Sequence, residues 1–242
     1  MLKIENFEVM GWEHAIRGMR NPMNSWEKSD SGYCVQDLSR DCNSCVHKHT
    51  NYPTCRCGGF DIGPNDYALM KKLRNAGTDH RKFMRMITVY LDITAPLYWW
   101  KEFDTYKVGT VANSCSTMHK IHAKEFTLED FSCEYLIKES IGELQNVIDK
   151  LNYFRDKFIN WKKSDFFIDN DRQLVDRELI WRQMIQLLPS SYNQKRTVML
   201  NYEVLANIYQ SRKDHKLDCW HTFCHWIEEL PYSELITGYE EE

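Results

Sequence analysis

Long apolar runs are absent from this 242-residue chain, and so is a strong excess of either charge. No apolar stretch approaches the roughly 18 residues that a membrane-spanning helix needs, so we expect no membrane partner and no signal peptide. The 31 basic and 35 acidic residues leave a formal net charge of −4, which provides no global field to attract nucleic acid. We therefore predict a cytoplasmic protein without a nucleic-acid partner, in which local cations would meet any bound phosphate.

The composition supports a packed core, because 43% of the residues are hydrophobic. β-Branched and aromatic residues predict a strand over residues 87–93, and apolar residues at helical spacing predict a long helix over residues 141–161. Asn65 is a candidate N-cap for an earlier helix. We predict one domain over residues 1–242 of the α/β (α+β) class, with a few strands and many helices.

Residues 24–63 show little periodicity and contain five of the nine cysteines. Since nothing signals secretion, we expect reduced thiols rather than disulfides. Cys42, Cys45, Cys55 and Cys57 form two close pairs, which can supply the four ligands of a tetrahedral zinc ion. Residues 24–63 therefore predict a Cys-rich insert that is either stapled by structural zinc or a reduced surface segment.

Polar side chains are concentrated in residues 105–119, directly after an aromatic segment. Lys107, Asn113 and Ser116 belong to this run, which a strand in the protein core would not tolerate. We therefore expect this segment to contact a polar ligand.

A second polar pattern lies on a helix predicted over residues 201–212. Asn201 and Arg212 are 11 positions apart, which places them on one helix face and about 16 Å from each other. An Asn amide can pair with the edge of a nucleobase or isoalloxazine, and an Arg guanidinium can bind a carbonyl or a phosphate. The alternative is that both side chains are solvated or cap the helix.

Together, the two stretches resemble the flavin-dependent thymidylate synthase family. Asn201, Asn207 and Arg212 match the spacing of that family's ligand-binding helix, measured from the pair Leu188 and Pro189. The family's Arg-His-Arg triplet and its later Ser-x-Arg correspond to a segment that begins at residue 105. Ser116 keeps its register with the family's Ser if one residue is inserted. Without the insertion, Cys115 takes that position, so the closing Arg corresponds to Met118 or Thr117. The similarity spans residues 64–124 and 177–228.

The resemblance implies a thymidylate synthase-complementing-protein-like fold, in which a small sheet packs with several long helices. It implies the methylation of dUMP to dTMP, with FAD as the flavin cofactor and with NADPH and methylenetetrahydrofolate as co-substrates. It also implies a homotetramer that binds dUMP or a related pyrimidine nucleotide. The residues assigned by the resemblance are Arg212 and Ser116 for catalysis, Tyr106, Lys107, Asn201, Asn207 and His80 for the cofactor, and Glu102, Asn113, Arg182 and Arg212 for the substrate.

The sequence departs from the family pattern at several cationic positions. Lys107 is the one cation left at the positions of the Arg-His-Arg triplet, and Met118, Ile185 and Glu203 each replace an Arg of the family. Arg182, one helical turn from Ile185, is a candidate substitute. Two alternatives to an active synthase therefore stay open. The first is a non-catalytic nucleotide or flavin binder on the same fold, and the second is a zinc-stapled interaction module.

Overall fold

The computed structural model describes residues 2–33, 60–162, 167–168 and 174–238. The described part is a mixed α/β structure, so the predicted fold class is confirmed. The strands are β1 (Lys3–Met10), β2 (Gly32–Tyr33), β3 (Phe60–Asp61), β4 (Thr88–Pro96), β5 (Val111–Ser114), β6 (Phe167–Ile168), β7 (Leu174–Val175) and β8 (Asn193–Asn201). The α-helices are α1 (Trp12–Arg20), α2 (Pro64–Asn75), α3 (Leu97–Phe103), α4 (Lys138–Ile159), α5 (Arg177–Gln186), α6 (Tyr202–Arg212), α7 (Asp218–Glu228) and α8 (Glu234–Thr237). Short 3-10 helices lie at Asn21–Met23, Trp26–Lys28, Arg81–Met86 and Leu128–Asp130. Among the described helices, none combines the length and the apolar composition that crossing a bilayer requires.

One four-stranded sheet has the order β1-β4-β8-β5, and β2–β3 and β6–β7 form separate two-stranded ribbons. Strand β4 forms because Val89, Leu91, Ile93 and Ala95 alternate along it as fully buried side chains. The strand predicted over residues 87–93 is therefore confirmed, and it extends to Pro96.

The sequence patterns did not predict β5 and β8. All four residues of β5 are exposed, and this strand lies at the end of the sheet order, where no buried face is required. The polar run that we interpreted as a ligand segment thus includes an edge strand. In β8, only Gln194, Val198 and Leu200 are buried, so its hydrophobic alternation is short.

The chain divides into two compact units that interleave along the sequence. We call the first the α4 unit, which contains Thr94–Phe103 and Ser114–Arg196. We call the second the α6 unit, which contains Leu2–Ile93, Asp104–Asn113 and Thr197–Glu242.

The core of the α4 unit is built against one face of α4. Leu144, Ile148 and Leu151 follow helical spacing and are buried on that face. They join an apolar cluster with Ile121, Phe126, Phe131 and Met184. The aromatic helix α3 is buried in the same unit, where Trp100 Nε1 donates to the Gln194 carbonyl at 2.9 Å.

The core of the α6 unit surrounds α6, where most residues of the first two turns are buried. Tyr202 is fully buried, and its hydroxyl donates to the Pro231 carbonyl at 2.6 Å. Trp12 packs edge-on against the Tyr202 ring with the centroids 5.3 Å apart. These contacts hold the first turn of α6 in place.

A buried carboxylate organises the base of the Cys-rich insert. Asp66 is fully buried and accepts a hydrogen bond from Arg20 Nε at 2.6 Å. It also accepts from the Ser29 and Ser31 hydroxyls at 2.6 and 2.7 Å. Next to it, β2 and β3 pair antiparallel, with Tyr33 opposite Phe60.

Asn65 is not the N-cap of α2, so that prediction was wrong. The cap is Gly63, and the helix begins at Pro64, whose fixed φ and missing N–H suit the first helical position. The backbone N–H groups of Asn65 and Asp66 donate instead to the Asp30 carboxylate at 2.8 and 3.0 Å. The four cysteines of the predicted zinc site, Cys42, Cys45, Cys55 and Cys57, lie outside the described residues.

Candidate functional site

The residues that match the family spacing are carried by the last residue of β8 and by α6. Asn201 is the N-cap of α6, and its Oδ1 accepts a hydrogen bond from the Val204 N–H at 3.0 Å. Asn207 lies in the middle of the helix and is exposed, and Arg212 closes the last turn. The predicted helix over residues 201–212 is thus confirmed, with Asn201 serving as its cap.

Arg212 is held by two aromatic side chains of the α6 unit. Its Nε donates to the Tyr106 hydroxyl at 2.9 Å, and its guanidinium lies 4.7 Å from the ring centroid of the buried Trp220. The Tyr106 and Trp220 rings pack edge to face, with their centroids 6.2 Å apart. A guanidinium fixed by a hydrogen bond and a cation–π contact is pre-oriented, so less side-chain entropy is lost when it binds a ligand.

The segment that carries Lys107 approaches the N-cap of α6 closely. Gly109 has φ +80°, and a Cβ added there would lie 2.9 Å from Asn201 Nδ2. Lys107 and Asn113 are exposed, and the Lys107 carbonyl accepts a turn hydrogen bond from the Thr110 N–H at 3.3 Å. Lys107, Asn201 and Arg212 thus all belong to the α6 unit, where Gly109 lies beside Asn201 and Tyr106 contacts Arg212.

Glu203 forms an ion pair that the sequence patterns did not predict. Its carboxylate is 9% exposed and accepts from Arg81 Nε at 3.2 Å, while Arg85 lies 3.8 Å from its second oxygen, Oε2. Arg81 also donates to Asn207 Oδ1 at 3.4 Å. Arg81 lies 122 positions before Glu203 and 126 positions before Asn207, so no local sequence pattern identifies it as their partner.

Glu203 Oε2, which has Arg85 as a distant ion-pair partner, receives no hydrogen bond in the described structure. This oxygen is also buried. A buried acceptor without a donor is costly, so this oxygen is a candidate acceptor for a ligand N–H or hydroxyl. His80, which precedes Arg81, is exposed, and its backbone N–H donates to the Gly77 carbonyl at 3.1 Å.

Three of the predicted site residues lie in the α4 unit. Ser116 Oγ accepts from the backbone N–H groups of Met118 and His119 at 3.2 and 2.8 Å, so it stabilises a turn. Arg182 is exposed and pairs with Glu178 one turn earlier at 2.7 Å. Glu102 lies on α3 and is partly buried.

The described residues contain no group of three His, Cys, Asp or Glu side chains that could hold a metal ion. Cys115, a thiol in the polar run, is exposed, and its backbone pairs with β8 through the Lys195 carbonyl at 2.9 Å.

Solved structures share this fold at low sequence identity. No protein-family model matches the sequence, and no curated protein matches it. The chain is similar to a flavin-dependent thymidylate synthase, ThyX, from Helicobacter pylori complexed with FAD and dUMP, with 13% identity and a TM-score of 0.56. That alignment covers 98% of this chain and 96% of the other. A second ThyX structure from Helicobacter pylori with FAD and dUMP gives 12% identity and a TM-score of 0.57, covering 98% and 97% of the two chains. At these identities the similarity establishes a common fold, and the described part of the chain has the fold of these ThyX proteins.

Proposed function

We propose that the chain is a flavin-dependent thymidylate synthase-like enzyme that binds FAD and methylates dUMP to dTMP. The observation that carries the proposal is the α6 arrangement, in which the N-cap residue Asn201 and the helix residues Asn207 and Arg212 follow the family spacing, with Arg212 pre-oriented. The likeness to ThyX structures solved with FAD and dUMP supports it, because the likeness extends over 98% of the chain.

The polar groups of the α6 unit suit a flavin dinucleotide. The buried Glu203 Oε2 can accept from an N–H or a ribose hydroxyl, and Arg81 brings a guanidinium beside Asn207. The Lys107 ammonium adds a positive charge for a diphosphate. We assign FAD to the residues named by the resemblance, which are Tyr106, Lys107, Asn201, Asn207 and His80. When bound and reduced, the flavin would supply the hydride of the reaction.

The nucleotide assignment uses Arg212 as the principal cation. Its fixed guanidinium can bind the pyrimidine carbonyl or the phosphate, and Glu102, Asn113 and Arg182 are the further substrate contacts that we propose. We assign Ser116 as the second catalytic residue. The proposal includes NADPH and methylenetetrahydrofolate as co-substrates, a homotetramer and a cytoplasmic location.

Tritium release from C5-labelled dUMP tests this function. In the presence of FAD, NADPH and methylenetetrahydrofolate, we expect release by the wild-type chain and none above background by Arg212→Ala. Lys213→Ala is the matched control, because it removes the neighbouring positive charge, which is exposed. Turnover of Arg212→Ala at the wild-type rate, with the fold intact, would contradict the assignment.

A second candidate function is the binding of nucleotide or flavin without catalysis. Two observations in the α4 unit favour it. Ile185, which replaces a family Arg, packs against the apolar cluster, and the Met118 carbonyl accepts from Trp181 Nε1 at 2.9 Å. Both positions serve packing or turn structure instead of supplying a cation. This function predicts saturable ligand binding with no tritium release from C5 of dUMP.

The zinc site at Cys42, Cys45, Cys55 and Cys57 stays a prediction. We expect one zinc ion per chain, measured by elemental analysis of the purified protein, and its loss in Cys42→Ser. An absence of zinc from protein purified under reducing conditions would leave the reduced surface insert as the correct alternative. Stoichiometric zinc without any nucleotide affinity would favour the interaction module.

A further inference from the structure

The α4 unit contains a cleft whose lining residues have no role in the proposed synthase function. Its volume is about 410 Å³, and its lining residues are His119, His122, Phe158, Arg177, Glu178 and Trp181. One wall is fixed by the Trp181 indole, whose Nε1 donates to the Met118 carbonyl at 2.9 Å. The turn that carries Met118 is fixed in turn by the Ser116 hydroxyl.

A ring nitrogen in this cleft lacks a partner. His122 Nδ1 is buried and makes no hydrogen bond to any residue that the structure describes. Two contacts fix the position of His122. Its ring packs on Phe158 with the centroids 4.6 Å apart, and its backbone carbonyl accepts a hydrogen bond from Arg155 Nε at 3.1 Å. Buried polar atoms in proteins are nearly always satisfied, so an unsatisfied nitrogen on an ordered ring beside a cleft points to a ligand.

The charges around the cleft favour an anion. Arg177 lies 4.3 Å from the Phe158 ring centroid and also donates to the Phe158 carbonyl at 3.4 Å. The Glu178 carboxylate, which lines the cleft, is already paired with Arg182 at 2.7 Å. Asp156 is likewise paired with Arg155 at 3.2 Å. Arg177 in the lining, and Lys120, whose charge acts on His122, therefore leave positive charge at the cleft.

The protonation of His122 responds to the same surroundings. Burial, followed by the positive charges of Lys120, Arg177 and Arg155, lowers the pKa of His122 from its ordinary 6.5. The imidazole is therefore neutral at neutral pH in the free protein. A bound anion would offset the neighbouring positive charges and stabilise the protonated ring, in which both nitrogens are donors.

We propose that this cleft binds a small phosphorylated ligand, with the phosphate between Arg177 and His122 and a planar group of the ligand against Trp181. Arg offers a planar fork of donors that matches phosphate oxygens, and His122 Nδ1 would gain its missing partner. The indole of Trp181 provides a flat apolar surface for a ring. His119, His122 and Glu178 do not form a metal-ligating group, since the described residues contain none.

The test is an NMR titration of the full chain labelled with 15N-histidine. The probes are inorganic phosphate, AMP and adenosine, which separate a phosphate requirement from a ring requirement. We expect saturable shifts of the His122 imidazole with phosphate and with AMP, tighter binding of AMP than of phosphate, and no saturation with adenosine. Binding should also raise the pKa of His122, and affinity for phosphate should increase as pH falls through that pKa.

Two variants test the contacts separately. Arg177→Gln should weaken phosphate binding by about tenfold or more, because a charge-assisted hydrogen bond is lost. Arg17→Gln, a change of the same kind on α1, should leave phosphate binding unchanged. Trp181→Phe should reduce the advantage of AMP over phosphate. The proposal is overturned if His122 shifts no more than the exposed His14, or if Arg177→Gln binds phosphate as tightly as the wild type.

Discussion

Arg212 shows how one cation can be pre-oriented by its neighbours. The Tyr106 hydroxyl accepts its Nε hydrogen bond, and the Trp220 ring supports the guanidinium face. A Lys at this position would keep the charge and lose the planar contact with Trp220. The position of the guanidinium is thus a property of three side chains, and each of them can be changed separately.

We predict that Tyr106→Phe weakens dUMP binding by about tenfold and also lowers the thermal stability, because the lost hydrogen bond is present in the free protein. The substitution keeps the ring contact with Trp220 and removes the hydrogen-bond acceptor of Arg212, which is worth about 1.5–3 kcal/mol for a charged donor. Binding is measured by calorimetric titration. The control is Tyr209→Phe, which removes a hydroxyl that donates to the exposed Glu228 carboxylate at 2.7 Å. Equal affinity of Tyr106→Phe and the control would contradict the role of the hydroxyl.

Asp66 is the residue on which the base of the Cys-rich insert depends. Burial by itself would raise the pKa of Asp66, but hydrogen bonds from Ser29, Ser31 and Arg20, together with the Arg20 charge, lower it below its ordinary 3.8. Because the folded pKa lies below the unfolded one, this carboxylate stabilises the fold fully above the unfolded pKa. That stabilisation is lost as pH falls from the unfolded pKa through the folded one.

We predict that Asp66→Asn lowers the free energy of unfolding by about 3 kcal/mol at neutral pH, because it leaves the buried Arg20 without its counter-ion. The decline in stability below about pH 3.8 should also be shallower in this variant. Urea unfolding at several pH values measures both effects. Asp218→Asn, at an exposed position, should change stability by less than about 0.5 kcal/mol. A loss of stability no greater than that of Asp218→Asn would show that Asp66 does not organise this region.

At the level of elements, the N-terminus of α6 is shaped by the turn that packs on its cap. Gly109 has a positive φ and approaches Asn201 closely, so a side chain there would cause both backbone strain and a steric clash. Gly77 has φ +105° and open space around an added Cβ, so a side chain there would cause backbone strain alone. Substitutions at the two glycines therefore distinguish backbone strain from steric contact.

We predict that Gly77→Ala costs about 1 kcal/mol of stability and that Gly109→Ala costs about 2 kcal/mol or more. Gly109→Ala should also weaken flavin binding, because the added methyl displaces either Lys107 or the Asn201 cap. Chemical unfolding and a flavin titration measure the two effects. If both variants lose the same stability and Gly109→Ala binds flavin normally, the close packing of this turn is unimportant.

Local sequence patterns were informative for helices and for one buried strand. The long helix α4 and the strand β4 follow from apolar spacing, because both bury a continuous face. β5 escaped prediction because all its residues are exposed, and because its partner strand β8 is distant in sequence. Asn65 was mistaken for a cap because the group that accepts a hydrogen bond from the first turn of α2 is the Asp30 carboxylate, 35 positions earlier in the sequence.

The candidate site was only partly predictable for a related reason. Asn201, Asn207 and Arg212 were singled out by the family resemblance, and helix spacing by itself related only Asn201 to Arg212. The Tyr106–Arg212 hydrogen bond joins positions 106 residues apart, and Arg81 reaches Glu203 across 122 residues. Such contacts form only when distant segments pack together, and no local sequence pattern shows which segments do so.

For the whole molecule, the fold is shared with the ThyX structures although the sequences differ at most positions. The likeness to ThyX structures covers 98% of this chain at 12–13% identity. A fold tolerates such divergence when volume and hydrophobic patterning are kept. The substrate and cofactor contacts are more demanding, because a phosphate needs compensating donors. The proposed function therefore requires that the cations of the α6 unit bind a flavin.

The most direct measurement is the visible absorbance of FAD titrated with the purified protein, in the presence and in the absence of dUMP. The account predicts a saturable perturbation of the flavin spectrum that changes when dUMP is added, and a loss of that response in Arg212→Ala. A free-flavin spectrum under both conditions would contradict the proposed cofactor and leave the common fold as the sole link to thymidylate synthesis.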